Sequence, residues 1–216
     1  MSAAPARPRL RGVLHQYAFF AALGATLLLV FAAPTPRALF AVTVYGMALT
    51  ALFGVSALFH RVTWSAGARR WMGRLDHAMI NLMIAGTITP FALLVLSGTV
   101  AAALMIVVWS GALVNIALHL FWIEAPKGLS AVLYLAIGWS GVMAGPQLVP
   151  EVGWTAIVLL ALGGVLYSAG ALVYALRRPD PAPAVFGYHE VFHTLVIVAA
   201  FTHWLVVAFY VLPHVA

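Results

Sequence analysis

The sequence predicts an all-α fold: an integral membrane seven-transmembrane-helix bundle with its N-terminus cytoplasmic and its C-terminus outside. Three observations carry this reading. First, hydrophobic residues make up 64% of the chain and charged residues only 7%, with a mean hydropathy of +1.05. Soluble domains carry about 25% charged residues, so this balance belongs to a membrane protein. Second, the apolar residues fall into seven runs, each near the roughly 20 residues a helix needs to cross a hydrocarbon core about 30 Å thick. Third, threading those runs back and forth puts Arg7, Arg9, Arg11, Arg61, Arg69, Arg70, Arg74, Lys127, Arg177 and Arg178 on the side of the N-terminus and leaves Arg37 alone on the other. Basic residues collect on the cytoplasmic face, so this split orients the bundle. Dropping any one helix from the count would scramble it.

Residues 1–12 read as a cytoplasmic tail, 13–212 as the transmembrane domain and 213–216 as a short outer tail. The first run, 13–33, follows three arginines and could be confused with a signal peptide, Ala32-Ala33 offering a cleavage site; its length fits a spanning helix better than the 7–15 apolar residues of a signal core. Pro34-Thr35-Pro36-Arg37 turns the chain into the second run, 38–59, which ends at His60 and an arginine-rich loop. The third, 75–96, contains Gly86-Thr87-Ile88-Thr89-Pro90, where the proline removes a helical hydrogen bond and is expected to kink the helix. Ser97-Gly98 leads into the fourth, 99–123, and Glu124-Ala125-Pro126-Lys127-Gly128 into the fifth, 129–148. Pro150-Glu151-Val152-Gly153 separates that run from the sixth, 154–176, and Arg177-Arg178-Pro179-Asp180-Pro181 precedes the seventh, 185–212. Connections this short leave no room for a soluble domain, and no internal repeat is visible.

Several function classes drop out. There is no cysteine, which removes disulfides, thiolate metal sites and cysteine nucleophiles and leaves histidine and carboxylates as the strong metal ligands. The net charge of +6 sits in loops between spans, where topology explains it and nucleic-acid binding does not. No strand precedes a phosphate-binding glycine motif, and no paired Gly/Pro-broken helices suggest a transporter.

What remains are polar residues at membrane depth, which are costly and usually functional. His189 and His193 lie four apart and share one helix face. The topology places them at the cytoplasmic end of the seventh helix, level with His60 on the second and Asp76 on the third; Ser56 lies one turn from His60 on its own face. Three histidines, a carboxylate and a hydroxyl are what a water-bearing zinc site requires, three neutral ligands and an open position. Each residue also has a plainer role. His60 could be interfacial, Asp76 could cap its helix or pair with Arg70 or Arg74, and Ser56 could bond its own backbone. His15, His77, His119, His203 and His214 are assigned to packing, the interface or hydrogen bonding and not to metal. His189-Glu190-x-x-His193 also satisfies the H-E-x-x-H pattern of zinc proteases, in which the glutamate is the base.

The combination of Ser56-Ala57-Leu58-Phe59-His60, Leu75-Asp76-His77 followed by Gly86-Thr87-Ile88-Thr89-Pro90, and His189-Glu190-Val191-Phe192-His193 resembles the hemolysin III family, the bacterial branch of the progestin and adipoQ receptor superfamily, related also to alkaline ceramidases. The resemblance spans nearly the whole chain. It implies a multi-pass protein of the cell (plasma or inner) membrane with Zn2+ near the cytoplasmic face, held by His60, His189 and His193; Asp76 would orient a zinc-activated water and Ser56 would assist. The activity it implies is zinc-dependent hydrolysis of a membrane lipid amide or ester, as in ceramidases, serving membrane lipid homeostasis. The partners are then the bilayer and a lipid substrate or ligand, with no nucleic acid. Two other readings stay open: a sensor, receptor or cytolysin in which zinc only joins helices, and an intramembrane protease using Glu190. The short N-terminal tail lacks the long cytoplasmic segment of the animal receptors, so hormone reception is not expected.

Overall fold

The computed structural model describes residues 8–121 and 127–215, the side chains of 127–131 excepted. Arg7 and the Lys127 side chain, both used in the charge split, and the connection at 124–126 lie outside the described residues. Eight α-helical segments follow in order: α1 (Val13–Ala32), α2 (Pro36–Arg61), α3 (Ala66–Leu94), α4 (Gly98–Phe121), α5 (Lys127–Trp139), α6 (Gly145–Leu176), α7 (Tyr188–Val206) and α8 (Leu212–His214). A 3-10 turn, Ser140–Ala144, joins α5 to α6, and a π turn, Val207–Val211, joins α7 to α8. Extended pairing among the described residues is limited to an isolated bridge between Ala182 and Phe186.

The helix starts follow capping chemistry. Thr35 accepts a hydrogen bond from the Ala38 amide at 3.1 Å with Pro36 opening α2, and Ser65 accepts from Ala68 at 3.3 Å to open α3. The Ser65 cap starts α3 about two turns before the apolar run that begins at residue 75. Its first turns carry Arg69 and Arg74, whose guanidinium groups lie over the rings of Phe59 (4.9 Å) and Trp71 (4.6 Å). An apolarity criterion passes over such a polar, cation–π-supported extension. Asp76 therefore lies well inside α3, and capping is not its role. Helix α3 continues through Pro90 to Leu94.

Among the described residues six helices are long and apolar enough to cross a membrane. One of them, Val132–Leu176, is 45 residues long and contains a break at Gly153, whose φ of 77° and ψ of 165° are not helical. Only glycine adopts that backbone conformation without strain. The indole N–H of Trp139 donates to the Ser168 hydroxyl at 3.0 Å across a separation of 29 residues; in a straight helix those residues would stand about 43 Å apart. The chain thus folds back at Gly153, within the turn expected from Pro150-Glu151-Val152-Gly153.

Small residues set the closest helix approaches, as lipid-embedded packing requires. A Cβ on Gly86 of α3 would fall 2.6 Å from the Ala48 Cβ of α2, and one on Gly46 would overlap Thr26 of α1. Large apolar side chains such as Phe31, Phe40, Phe121 and Met143 stand on the outside, where lipid tails replace water. Two buried amides pair across helices: the Asn115 amide of α4 donates to Asn81 of α3 at 2.9 Å. Gly86→Val is expected to force α2 and α3 apart and cost about 1–3 kcal/mol, read as a lower midpoint of thermal unfolding in detergent. Gly24→Ala, where a Cβ meets nothing within 4 Å, is the control and is expected to leave the midpoint unchanged or slightly raised.

Candidate metal centre

The last turns of α2 carry Ser56 and His60, the first turns of α7 carry His189 and His193, and α3 supplies Asp76. How α7 begins decides where its histidines point. The Glu190 carboxylate, in the first turn, accepts the Gly187 amide at 2.9 Å, and Asp180 accepts the Tyr188 amide at 2.8 Å. Carboxylates are favoured where helix amides lack partners and the dipole is positive. The helix is therefore held by its first turn, and its 3.6-residue period turns His189 and His193 to one side.

On that side they meet His60. Ligand nitrogens of His60, His189 and His193 all lie within 4.8 Å of one another, and all three residues are buried. His60 Nε2 and His189 Nε2 are 3.1 Å apart, a separation that either a shared proton or a shared cation sustains. The ring centroids of His189 and His193 are 4.5 Å apart, and those of His60 and His193 5.2 Å. Asp76 Oδ2 lies 3.9 Å from His60 Nε2, and Ser56, buried, neighbours the Asp76 carboxylate. Tyr174 from the end of α6 presents its ring to His189 at 5.5 Å.

The donor set suits a metal ion. Three imidazoles at zinc–nitrogen distances of 2.0–2.1 Å around a tetrahedral ion have their nitrogens about 3.3 Å apart. The 3.1 Å pair already has that spacing, and small ring rotations would draw in a third nitrogen lying within 4.8 Å. Three buried imidazole nitrogens converging from two helices are an arrangement that a divalent ion stabilises.

Glu190 sits between the two α7 histidines in sequence and is fully buried, but its oxygens are engaged elsewhere. Oε1 accepts from Arg11 Nε at 2.5 Å and Oε2 accepts from Gly187. A carboxylate so held caps and anchors the helix, which does not match the base of an H-E-x-x-H protease. The remaining histidines separate. His77 bonds the Gly73 carbonyl at 2.8 Å, His119 bonds the Tyr134 hydroxyl at 2.5 Å, His203 bonds the Leu160 carbonyl at 3.1 Å, and His214 lies 3.7 Å from Glu151. His15 departs from its expected interfacial place: it is buried and stacks face to face on His193, with centroids 3.7 Å apart and ring planes 9° apart. Depth alone, near the start of the first span, could have placed His15 with the others; its direction around the helix is what sequence does not supply.

The chain has recognisable relatives among known proteins. The family described as Haemolysin-III related matches residues 4–204. A hemolysin-3 homolog of Bacillus subtilis (strain 168) is 32% identical over 78% of this chain and 76% of its own. The hemolysin-3 of Bacillus cereus is 31% identical over 83% of this chain and 78% of its own. At greater distance, the adiponectin receptor protein of Drosophila melanogaster is 29% identical over 70% of this chain and 38% of its own.

Removing two of the three imidazoles at once is expected to abolish metal retention. Elemental analysis of purified protein should find about one divalent ion per chain in the wild type and none in His60→Ala/His189→Ala; equal metal in both would sink the site.

Proposed function

We propose that this chain, which belongs to the Haemolysin-III related family and is a multi-pass membrane protein, is a zinc-dependent hydrolase acting on an amide or ester of a membrane lipid. The observation that carries the reading is the three-imidazole cluster with a carboxylate 3.9 Å from one ring. Structural zinc sites are closed by four protein ligands, whereas catalytic sites keep three and leave a position open. Zinc at this position would polarise a carbonyl and activate water near neutral pH. His60, His189 and His193 hold it. Asp76 Oδ2 takes the proton of the attacking water and returns it to the leaving nitrogen or oxygen. Ser56 steadies the Asp76 carboxylate or donates to the developing oxyanion. The Tyr174 ring packs on Phe192 at 5.2 Å, and both rings lie against His189.

The topology that goes with this reading has seven crossings, the fold at Gly153 dividing the 45-residue segment into two. The N-terminus and the imidazole cluster face the cytoplasm and residues 213–216 lie outside, in keeping with the distribution of basic residues. A second reading draws on the relatives, which bear the names hemolysin and adiponectin receptor: a cytolysin or sensor in which the ion clamps the end of α2 to the start of α7. That reading requires Asp76 to close the site as a fourth ligand.

Asp76→Asn separates the two. As a hydrolase the variant is expected to keep its metal and lose at least about 100-fold in turnover, the usual share of general acid–base catalysis. The readout is fatty-acid release from a panel of lipid amides and esters in mixed micelles, beside metal content. Turnover by the wild type that survives unchanged in Asp76→Asn removes the proposed role of Asp76; loss of metal on this substitution favours the closed site.

A further inference from the structure

We propose that the segment from Arg11 to His15 is a clasp that assembles the metal centre, with Arg11 and His15 as positioning residues for the α7 histidines; this rests on the reading of the imidazole cluster as a metal site. The segment reaches His60 and His193 directly and the helical turn that carries His189 through Glu190. Its first contact is the ion pair between Arg11 and Glu190, the latter with 0% exposure. Glu190 lies one residue after His189 and three before His193, so the pair holds the helical turn that carries both. Its second contact is Gly12, with φ 78°, where a Cβ would fall 2.5 Å from the Cβ of His60. Only glycine allows both that backbone turn and that approach. The third is His15, whose ring lies on His193 at 3.7 Å and meets Phe53 edge-on at 5.0 Å.

The backbone secures the segment. The amides of Arg9 and Leu10 donate to the carbonyls of Ala184 and Val185 at 3.0 and 3.1 Å, joining the stretch before α1 to the stretch before α7. Neither nitrogen of His15 makes a well-formed hydrogen bond although both are buried, and the ring packs against His193 and Phe53.

The geometry of the stack assigns the role. Imidazole lone pairs lie in the ring plane, and the planes of His15 and His193 are nearly parallel. The ring nitrogens of His15 therefore point along a plane displaced from that of His193, and His15 would serve as a wall behind that ligand and not as a fourth ligand. The wall matters because the outer torsion of a histidine is soft, and a stacked ring holds the His193 nitrogen toward its partners. Arg11 acts one step further away. Without it a buried carboxylate loses its charged partner, and the first turn of α7, with His189 and His193 on it, loses its tether.

Residues that orient ligands from behind typically change metal affinity 10–100-fold. The test is zinc affinity of the full-length protein in detergent, by chelator competition, with the visible absorption of the cobalt-substituted protein reporting ligand geometry. Arg11→Met and His15→Ala are each expected to bind zinc about 10–100-fold more weakly and to shift the cobalt bands. His15→Phe, which restores an aromatic face without nitrogens, is expected to recover wild-type affinity and spectrum. Arg11→Lys keeps the charge but not the planar fork and secures the measurement should Arg11→Met not fold; its affinity is expected to fall severalfold. Wild-type affinity and spectrum in both Arg11→Lys and His15→Ala overturn the clasp. Metal loss in His15→Phe as complete as in His60→Ala overturns the positioning role and makes His15 a ligand. A wild-type protein that binds no zinc overturns the underlying site instead.

Discussion

Imidazoles buried at the end of a membrane helix have no water to bond, and an unpaired ring nitrogen there is costly unless another helix or an ion supplies its partner. In this protein that constraint gathers His60, His189 and His193 at one point, the first of them from α2 and the other two from α7. Much of the surrounding structure serves it. Asp180 and Glu190 hold the start of α7, Glu190 is itself held by Arg11, and Gly12 gives way to His60. The close packing farther along the bundle, as between Gly86 and Ala48, keeps α2 and α3 near enough for Asp76 to stand beside the His60 ring.

Glu190 shows how the same residue type serves different ends according to its partners. In an H-E-x-x-H helix a free glutamate can activate water. In this helix an arginine and a backbone amide occupy its oxygens, and the carboxylate becomes an anchor. Asp76 is placed the other way: it lies on a different helix, next to a ligand ring and partly exposed. A carboxylate without a dedicated guanidinium partner is the better candidate to exchange protons. The two acids differ in their contacts, one held by an arginine and the other beside an imidazole.

Much of this was legible in the residues. The apolar runs and the lone Arg37 on one side are one-dimensional properties, and so is the level at which His60, Asp76, His189 and His193 lie along their helices. The boundaries moved where polar turns extend a helix, as Ser65 to Arg74 do before α3. His15 was assigned to the interface because composition reports depth but not azimuth, and a histidine at a helix end faces lipid headgroups or the bundle according to packing.

By itself the sequence determined the class of protein, the spacing of the histidine pair and the family resemblance, because hydropathy, charge and i, i+4 periodicity act locally along a chain. Tertiary structure alone decided which groups touch: that Glu190 pairs with a residue 179 positions away, that His15 stacks on His193, and that the chain turns back at Gly153 so that Trp139 meets Ser168. Each of these depends on how helices rotate and cross, which is set by side-chain packing over the whole bundle. No local pattern encodes that rotation.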